Sequence, residues 1–497
     1  KIQADYDRSF GRHNVEATGV FSRRESQGIS DFPHYEENWV ARATYNYHSR
    51  YFLEASVAHT GSEKFAPGLR FGTFPSFAGG WMVSNEDFFR SAVPWMNHFK
   101  VKYSWGKIGS DAGIARWLYR SSYQDIDDGI GFGYPTQYYS YIGEGNVPIP
   151  NATWETAVKQ NLGIEMEFFD NLISLDIDLY KERRQDILQS RQSIPTWIGV
   201  SQDIRANVGE TKAHGVEVVL GFDKTFGNSF NLFGEFSVSA YESRVVYWDE
   251  PDAVPFHLKA EGKPVGVAQR MDWYTPGSGI QTQGYYQDFD ELFIQPRPSG
   301  GQPIVGDHKY LDFNGDGAVN SNDYVVSQHP FNPTYNWNGT LGFRYKNWTG
   351  HVTFYGISSV DYPLRQGGMF FLYPFTQNKD NAMTIHSDHW TPDNRDARFP
   401  AVHYRATDQW NYRISDFSII DGQYVRLKNI RLGYDFTGGV LENVGVERLN
   451  LSLTGTNLYT WVPNLDFGGD PEGANWGTDF GAYPMQRRFS LKAQITF

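Results

Sequence analysis

From Phe489 to Phe497 the chain alternates without a break. Phe489, Leu491, Ala493, Ile495 and Phe497 fall on one side of an extended strand, and Ser490, Lys492, Gln494 and Thr496 on the other. Side chains in a strand point to opposite faces with a period of two, so this segment predicts one face in an apolar medium and one in a polar medium. A strand of this kind, closed by an aromatic residue, is expected in a membrane β-barrel, where one face meets lipid and the other a wet interior. A half-buried strand of a soluble sheet would show the same alternation, so the rest of the chain has to choose between them.

The pattern recurs. One hairpin runs through Leu162, Ile164, Met166 and Phe168, turns at Asp170-Asn171, and returns through Ile173, Leu175, Ile177 and Leu179, with Ser174, Asp176 and Asp178 on the alternate face. A charged alternate face along a whole strand predicts water on that side. A second pair uses Val216, Val218, Leu220 and Phe222, then Leu232, Phe236 and Val238 after Gly227-Asn228. A third sets Leu341, Phe343 and Tyr345 against Val352 and Phe354. With further candidates near 14–24, 37–47, 51–61, 69–82, 98–108, 423–436 and 447–456, the spacing predicts about fourteen strands and a fragment at the start. Short connections near 48–50, 169–172, 223–229 and 347–350 alternate with long ones at about 109–158, 185–212, 242–337, 360–422 and 457–487. That parity is the signature of barrels with short periplasmic turns and long outer loops, and a soluble sandwich has no reason to show it.

Composition narrows the class. Hydrophobic residues make up 40% of the 497 and mean hydropathy is −0.53. No run of eighteen apolar residues exists, so any membrane crossing has to be made by strands. The 36 Phe, 31 Tyr and 15 Trp suit interfacial girdles and ligand-contacting loops. A net charge of −13 lacks the basic footprint that nucleic-acid binding requires. With no cysteine there are neither disulfides nor thiolate metal sites. The opening Lys1-Ile2-Gln3-Ala4-Asp5-Tyr6 is not a signal peptide, so an export address is expected upstream.

One segment has the spacing of a calcium loop. In Asp312 to Asp323, oxygen donors fall at positions 1, 3 and 5 as Asp312, Asn314 and Asp316, with Gly317 at the sharp turn. The Ala318 carbonyl, Asn320 and Asp323 would complete the set, with Asp in the twelfth position where Glu is usual. A structural calcium stiffening the long loop 242–337 is expected, the bland alternative being a surface turn rich in Gly, Asn and Asp. His386-Ser387-Asp388-His389-Trp390 reads as a polar loop cluster rather than a metal or nucleophile site. Asp125, Asp127 and Asp128 beside Tyr134, Tyr138, Tyr139 and Tyr141 suit a ligand-contacting loop better than a glycosidase pair. No residue is proposed as catalytic, and no enzyme motif is present.

Taken together, several segments resemble SusC/RagA-type TonB-dependent transporters of Bacteroidetes. They are Tyr6 to Asn14, Tyr51 to Ser56, Phe74-Pro75-Ser76 with Gly79-Gly80-Trp81, Asn151 to Glu155 with Gln160 to Gly163, and Asn207 to Glu210 with Gly215-Val216-Glu217. Gly306-Asp307, Tyr310, the calcium-like loop, Tyr424 to Asn429, Gly455 to Leu458 and Asp470-Pro471-Glu472 follow in order. The resemblance implies an all-β transmembrane antiparallel barrel, of which residues 1–497 would be the C-terminal part, contributing roughly fourteen of about 22 strands. The family's plug and TonB-binding segment would lie outside these residues. It further implies import across the cell outer membrane of an oligosaccharide or peptide, driven by TonB, with a SusD-like surface lipoprotein as partner. The rival reading keeps the barrel as a non-transporting structural or assembly component. Trp117, Tyr138, Tyr139, Trp273 and Tyr274 are the expected ligand contacts, as aromatic residues of the long loops.

Overall fold

The computed structural model describes the chain apart from residues 29–31, 199–202, 228, 266–277, 281, 327–328, 331, 364–373, 375–381, 403–409, 412–414, 440, 442–444, 464–469 and 472–484. The backbone divides into two units, Lys1–Glu217 with Glu242–Ala253 and Val218–Tyr241 with Val254–Phe497. Among the described residues fifteen strands share one antiparallel sheet in chain order. The first unit holds β1 (Ile2–Phe10), β2 (His13–Ser26), β3 (His34–Tyr47), β4 (Tyr51–Ser62), β5 (Phe71–Met82), β6 (Met96–Ser110), β7 (Glu155–Phe168) and β8 (Ile173–Ser190). β9 (Arg205–Phe226) and β10 (Phe230–Tyr247) contribute to both units. The second unit holds β11 (Tyr335–Tyr345), β12 (Trp348–Ser358), β13 (Tyr424–Thr437), β14 (Arg448–Trp461) and β15 (Arg488–Thr496). The all-β expectation holds, and each of the fourteen expected strands, with the opening fragment, has its counterpart.

The register confirms the two faces. Leu432, Leu453 and Leu491 lie opposite one another across β13, β14 and β15, and Leu453 and Leu491 are 54% and 78% exposed. In the first unit Leu53 and Phe77 are likewise exposed on neighbouring strands. On the other face the partners are polar: Ser174 opposes Glu167, and Asp176 opposes Glu165. Rings gather at the short-turn end, where Trp348 meets Tyr434 at 4.8 Å and Tyr434 meets Phe436 at 4.6 Å. An aromatic band where apolar and polar media meet is what an amphipathic ring prefers.

Connection lengths alternate as the sequence predicts, with one departure. Residues 11–12, 48–50, 169–172 and 346–347 form tight turns, several with positive φ, such as His48 at 54° and Asn171 at 63°. That left-handed backbone matches the twist of the paired strands. The β5–β6 connection is longer, because residues 83–95 fold into a short 3-10 turn and the helix α1 (Asp87–Ala92). Strands also run further than the alternation indicates: β9 spans 22 residues, and the loop read as 242–337 shortens to 248–334 once β10 and β11 are extended. The excess at the start of β9 carries polar residues on both faces and gives little apolar alternation to read, whereas that of β10 includes the buried Val245.

Burial is concentrated in the loops. In the first unit Phe65, Ile114, Leu118, Ile149, Ala152 and Trp154 form a core between the loops 63–70 and 111–154. In the second, Tyr286, Tyr310, Val319 and Trp410 form another, with Tyr285, Trp390 and Ala397 beside it. Placing Arg at Leu453 should destabilise the sheet by about 2–4 kcal/mol in bilayers, because the charge would enter the apolar face. Thr456→Arg, on the polar face of the same strand, should cost under about 1 kcal/mol. Urea titration in phospholipid vesicles separates the two.

Candidate functional site

The polar face of the first unit is a lattice of ion pairs. Lys102 reaches Glu165 at 2.9 Å and Asp178 at 3.7 Å, Lys100 reaches Glu165 at 3.4 Å, and Asn161 donates to Asp178 at 2.6 Å. Glycine makes this crossing feasible: a Cβ on Gly163 would lie 2.0 Å from Lys102 Cε. The charged alternate face read in the sequence is thus satisfied across strands, with solvent supplying the remaining partners.

Above this wall the 111–154 loop carries a hairpin, Tyr123–Phe132 against Gln137–Glu144. Its base is tied down: Gly145 N donates to Ser122 O at 2.8 Å, and Ile149 N to Leu118 O at 2.8 Å, with Leu118 and Ile149 in the loop core. Its blades are open, Tyr134 and Ile142 being among the most exposed large side chains. Tyr138 and Tyr139, neighbours in one strand, point to opposite faces. Tyr139 packs on Phe132 at 6.0 Å and donates to Gln137. Trp117 belongs to a separate anchor, with the Arg116 guanidinium over its ring at 4.5 Å and Phe32 edge-on at 5.5 Å. Trp273 and Tyr274 lie outside the described residues.

The same hairpin answers the glycosidase reading. Asp127 accepts from Ser140 at 2.9 Å, while Asp125 lies opposite Ile142. The His386 cluster is also spent on local structure. His386 is buried and its Nδ1 accepts from Met383 N at 3.0 Å, and Asp388 accepts from Asn394 at 3.0 Å.

The second unit builds a lobe from the loop residues 254–334 and 359–423. Asn411 is its polar centre: its side-chain amide donates to Asp307 at 2.8 Å and its Oδ1 accepts the His308 N–H at 2.9 Å. Trp410 donates to His308 O at 2.7 Å and Tyr310 donates to Trp410 O at 3.0 Å. The His308 ring is fully buried beside Phe417 at 4.6 Å, and burial pulls its pKa down to about 3. Burial likewise pushes the Tyr286 hydroxyl up to about 12. None of Asn411, Asp307 and His308 was legible as a set, because they lie about a hundred residues apart and obey no periodicity.

The calcium-like segment folds as a tight oxygen-rich loop within this lobe. Asp312 accepts from the backbone N–H groups of Gly315 at 2.8 Å, Asp316 at 3.2 Å and Gly317 at 2.8 Å. Asp316 accepts from Ala318 N and from the Asn314 amide, and those bonds, the amide's first, hold its carboxyl below the usual range. Gly315 and Gly317 stand at φ 73° and 83°, which permits the double reversal. Asp323 departs from the expected role. Buried completely, it accepts from Phe313, Asn314 and Asn320 N–H groups and closes the loop neck. Among the described residues no group of three His, Cys, Asp or Glu is close enough to hold a metal ion. All six of the expected ligand residues thus take part in the loop's own hydrogen bonds, Asn314 Oδ1 accepting from Asp316 N and the Ala318 carbonyl from the Asn320 amide.

No protein-family model matches the chain. It is 24% identical over 554 residues to TonB-dependent receptor P3 of Formosa agariphila, which covers 99% of this chain and 51% of that protein. It is 24% identical over 468 residues to TonB-dependent receptor SusC of Bacteroides thetaiotaomicron, covering 93% and 43%. Its likeness is to the barrel of SusC/RagA-type TonB-dependent receptors. The structure of the RagAB peptide importer in the open-open state superposes with a TM-score of 0.75 at 16% identity, covering 100% of this chain and 54% of that one. The chain spans about half the length of the curated relatives it matches. Its strands belong to the outer membrane, where the exposed Leu and Phe rows are the face suited to lipid and the ion-paired face the one suited to water.

The buried His308 ring sets a pH dependence for the lobe. Its folded pKa lies below the unfolded 6.5, so between pH 6.5 and about 3 the unfolded loops bind the extra proton. Stability is fully present above pH 6.5 and is lost as pH falls, by up to about 1.4 kcal/mol per unit. Protection factors for the amides of Tyr285 to Tyr310, with the intrinsic pH dependence of exchange divided out, should fall between pH 7 and 4.5, and His308→Phe should flatten the response.

Proposed function

We propose that the chain forms part of an outer-membrane importer that takes up a large nutrient, an oligosaccharide or a peptide, with energy delivered through TonB. The observation carrying this reading is the sidedness of the fold. The long connections fall at one end of the strands, where they build their own cores and present an open aromatic hairpin. A wall that is charged within and apolar without suits a passage for a polar cargo, and broad Tyr faces suit sugar rings or peptide side chains alike. SusC and the RagAB importer point to the same class, and RagAB's description names peptide as its cargo. A SusD-like surface lipoprotein is the natural partner for the long-loop end, and TonB would engage a part of the protein beyond these residues. Trp117, Tyr138 and Tyr139 are proposed as cargo contacts, with Trp273 and Tyr274 as further candidates from the sequence.

A calcium ion is proposed at Asp312, Asn314, Asp316 and the Ala318 carbonyl, with Asn320 and Asp323 holding the loop closed around it. Its contribution would be to neutralise two carboxylates and stiffen the lobe, with no part in chemistry.

Deletion of the gene should abolish growth on, and uptake of, one glycan or peptide class, restored by the wild-type gene. Unchanged uptake across the organism's usual glycans and peptides would refute import. In the restored strain Tyr138→Ala with Tyr139→Ala should weaken cargo binding about tenfold, since each ring contributes on the order of 0.5–1.5 kcal/mol. For the metal, elemental analysis of the full-length protein should find one calcium per chain, lost in Asp312→Asn with Asp316→Asn. Retention of calcium in that variant would place the ion elsewhere.

A further inference from the structure

Near the short-turn end of the second unit, the polar face carries a guanidinium that, among the described residues, no carboxylate contacts directly. Strands β12 to β15 line an open pocket of about 260 Å³ whose lining includes His351, Arg431, Asp435, Arg448, Asn450 and Gln494. Asp435 is fully committed there. It accepts from Arg448 Nε at 2.8 Å and Nη2 at 2.7 Å, and from the Asn450 amide at 2.7 Å. Arg431 is not: among the described residues its Nη2 reaches Ser452 Oγ at 3.4 Å, and its Nε is buried without an acceptor. His351 sits directly opposite Arg431 in the β12–β13 register. Basic groups in one cross-strand pair repel each other once the imidazole is protonated, and a buried guanidinium donor without an acceptor is costly.

We propose that this cavity is an anion site, in which a carboxylate lies between His351 and Arg431. A planar carboxylate matches the guanidinium fork with two parallel hydrogen bonds and neutralises its charge, and the His351 ring supplies a third donor. The volume admits a carboxylate with a small residue behind it. A lipid headgroup is not the source, because the cavity opens on the polar face while Ile430, Leu432 and Leu453 occupy the lipid side. The carboxylate belongs either to a small free acid or to a polypeptide side chain lying against the wall. The inference stands independently of the cargo and of the import reading.

A high-resolution cryo-EM map of the full-length protein purified from outer membranes tests it. Density for a carboxylate within hydrogen-bond distance of the Arg431 guanidinium is expected. If that density is continuous with polypeptide the source is the protein, and if it is isolated the source is a free acid. Water alone beside Arg431 would overturn the site. Melting of the same preparation gives a second readout with opposite signs. With an anion bound, Arg431→Gln lowers the melting temperature, by about 2 °C or more, and Arg431→Lys, which keeps charge but loses the fork, falls between. An unchanged or raised melting temperature in Arg431→Gln would show that the charge is only a burden and would overturn the proposal. If Arg431→Gln fails to fold, His351→Gln, which keeps a donor without a charge, supplies the same comparison at the opposite strand.

Discussion

Backbone hydrogen bonding between neighbouring strands is the constraint on which everything else in this protein rests. In the hydrocarbon of a membrane an unpaired N–H or C=O has no water to turn to, so each strand has to find its partners in the next. Pairing then fixes which residues are opposite which, and with a side-chain period of two a slip of one residue would exchange the lipid and interior faces. The rows Leu432, Leu453, Leu491 and Gly433, Ser452, Lys492 are consequences of one register. A sheet with lipid on one side and ion pairs on the other has no interior in which to bury a core. Most of the completely buried side chains, Trp410, Tyr310, Phe65 and Phe399 among them, accordingly belong to loops, with Arg426 and Val245 on strands of the sheet.

The loops accordingly behave as small folded bodies, and they use polar groups to do it. In the second-unit lobe the Asn411 side chain replaces a strand partner: it receives one backbone N–H and donates to one carboxylate, joining two loops with no regular pairing between them. Around it, Trp410 and Tyr310 each exchange a side-chain donor for a backbone carbonyl. Such buried networks specify a single arrangement because every partial version leaves a desolvated group unpaired. The same logic holds the first-unit hairpin at its base while leaving its aromatic blades open for contact.

How much of this was legible follows from the physics. Strands were legible because alternation is written locally: Ile173 to Leu179 announces its faces without reference to any other segment. Strand ends were not, because beyond the apolar band β8 continues through Lys181 to Ser190 with no contrast between its faces. Gly317 marked the reversal in the oxygen-rich loop, but the hydrogen bonds that Asp323 makes to its own backbone could not be inferred from spacing. A carboxylate at that position can face a metal or its own backbone, and only the fold decides. Trp117 and Tyr138, similar as aromatic loop residues, turn out to be differently placed, one clamped by Arg116 and Phe32, the other on an open blade.

The pair formed by Arg426 and Asp470 shows how the wall and the loops are joined within the second unit. Arg426 is fully buried on β13, its guanidinium held by Thr460 Oγ1 at 3.0 Å and by Asp470. The other oxygen of Asp470 accepts the Met485 N–H at 3.0 Å. One carboxylate therefore ties the loop on both sides of its excursion and fastens it to a strand. A buried charge pair of this kind adds little net stability against an apolar substitute, yet losing either partner is costly because the other is left desolvated and alone. Its value lies in position. Tyr424 to Asn429 and Asp470-Pro471 were read as separate points of resemblance, and the structure makes them two halves of one contact. These two segments of resemblance are the places where a loop is bolted to the sheet.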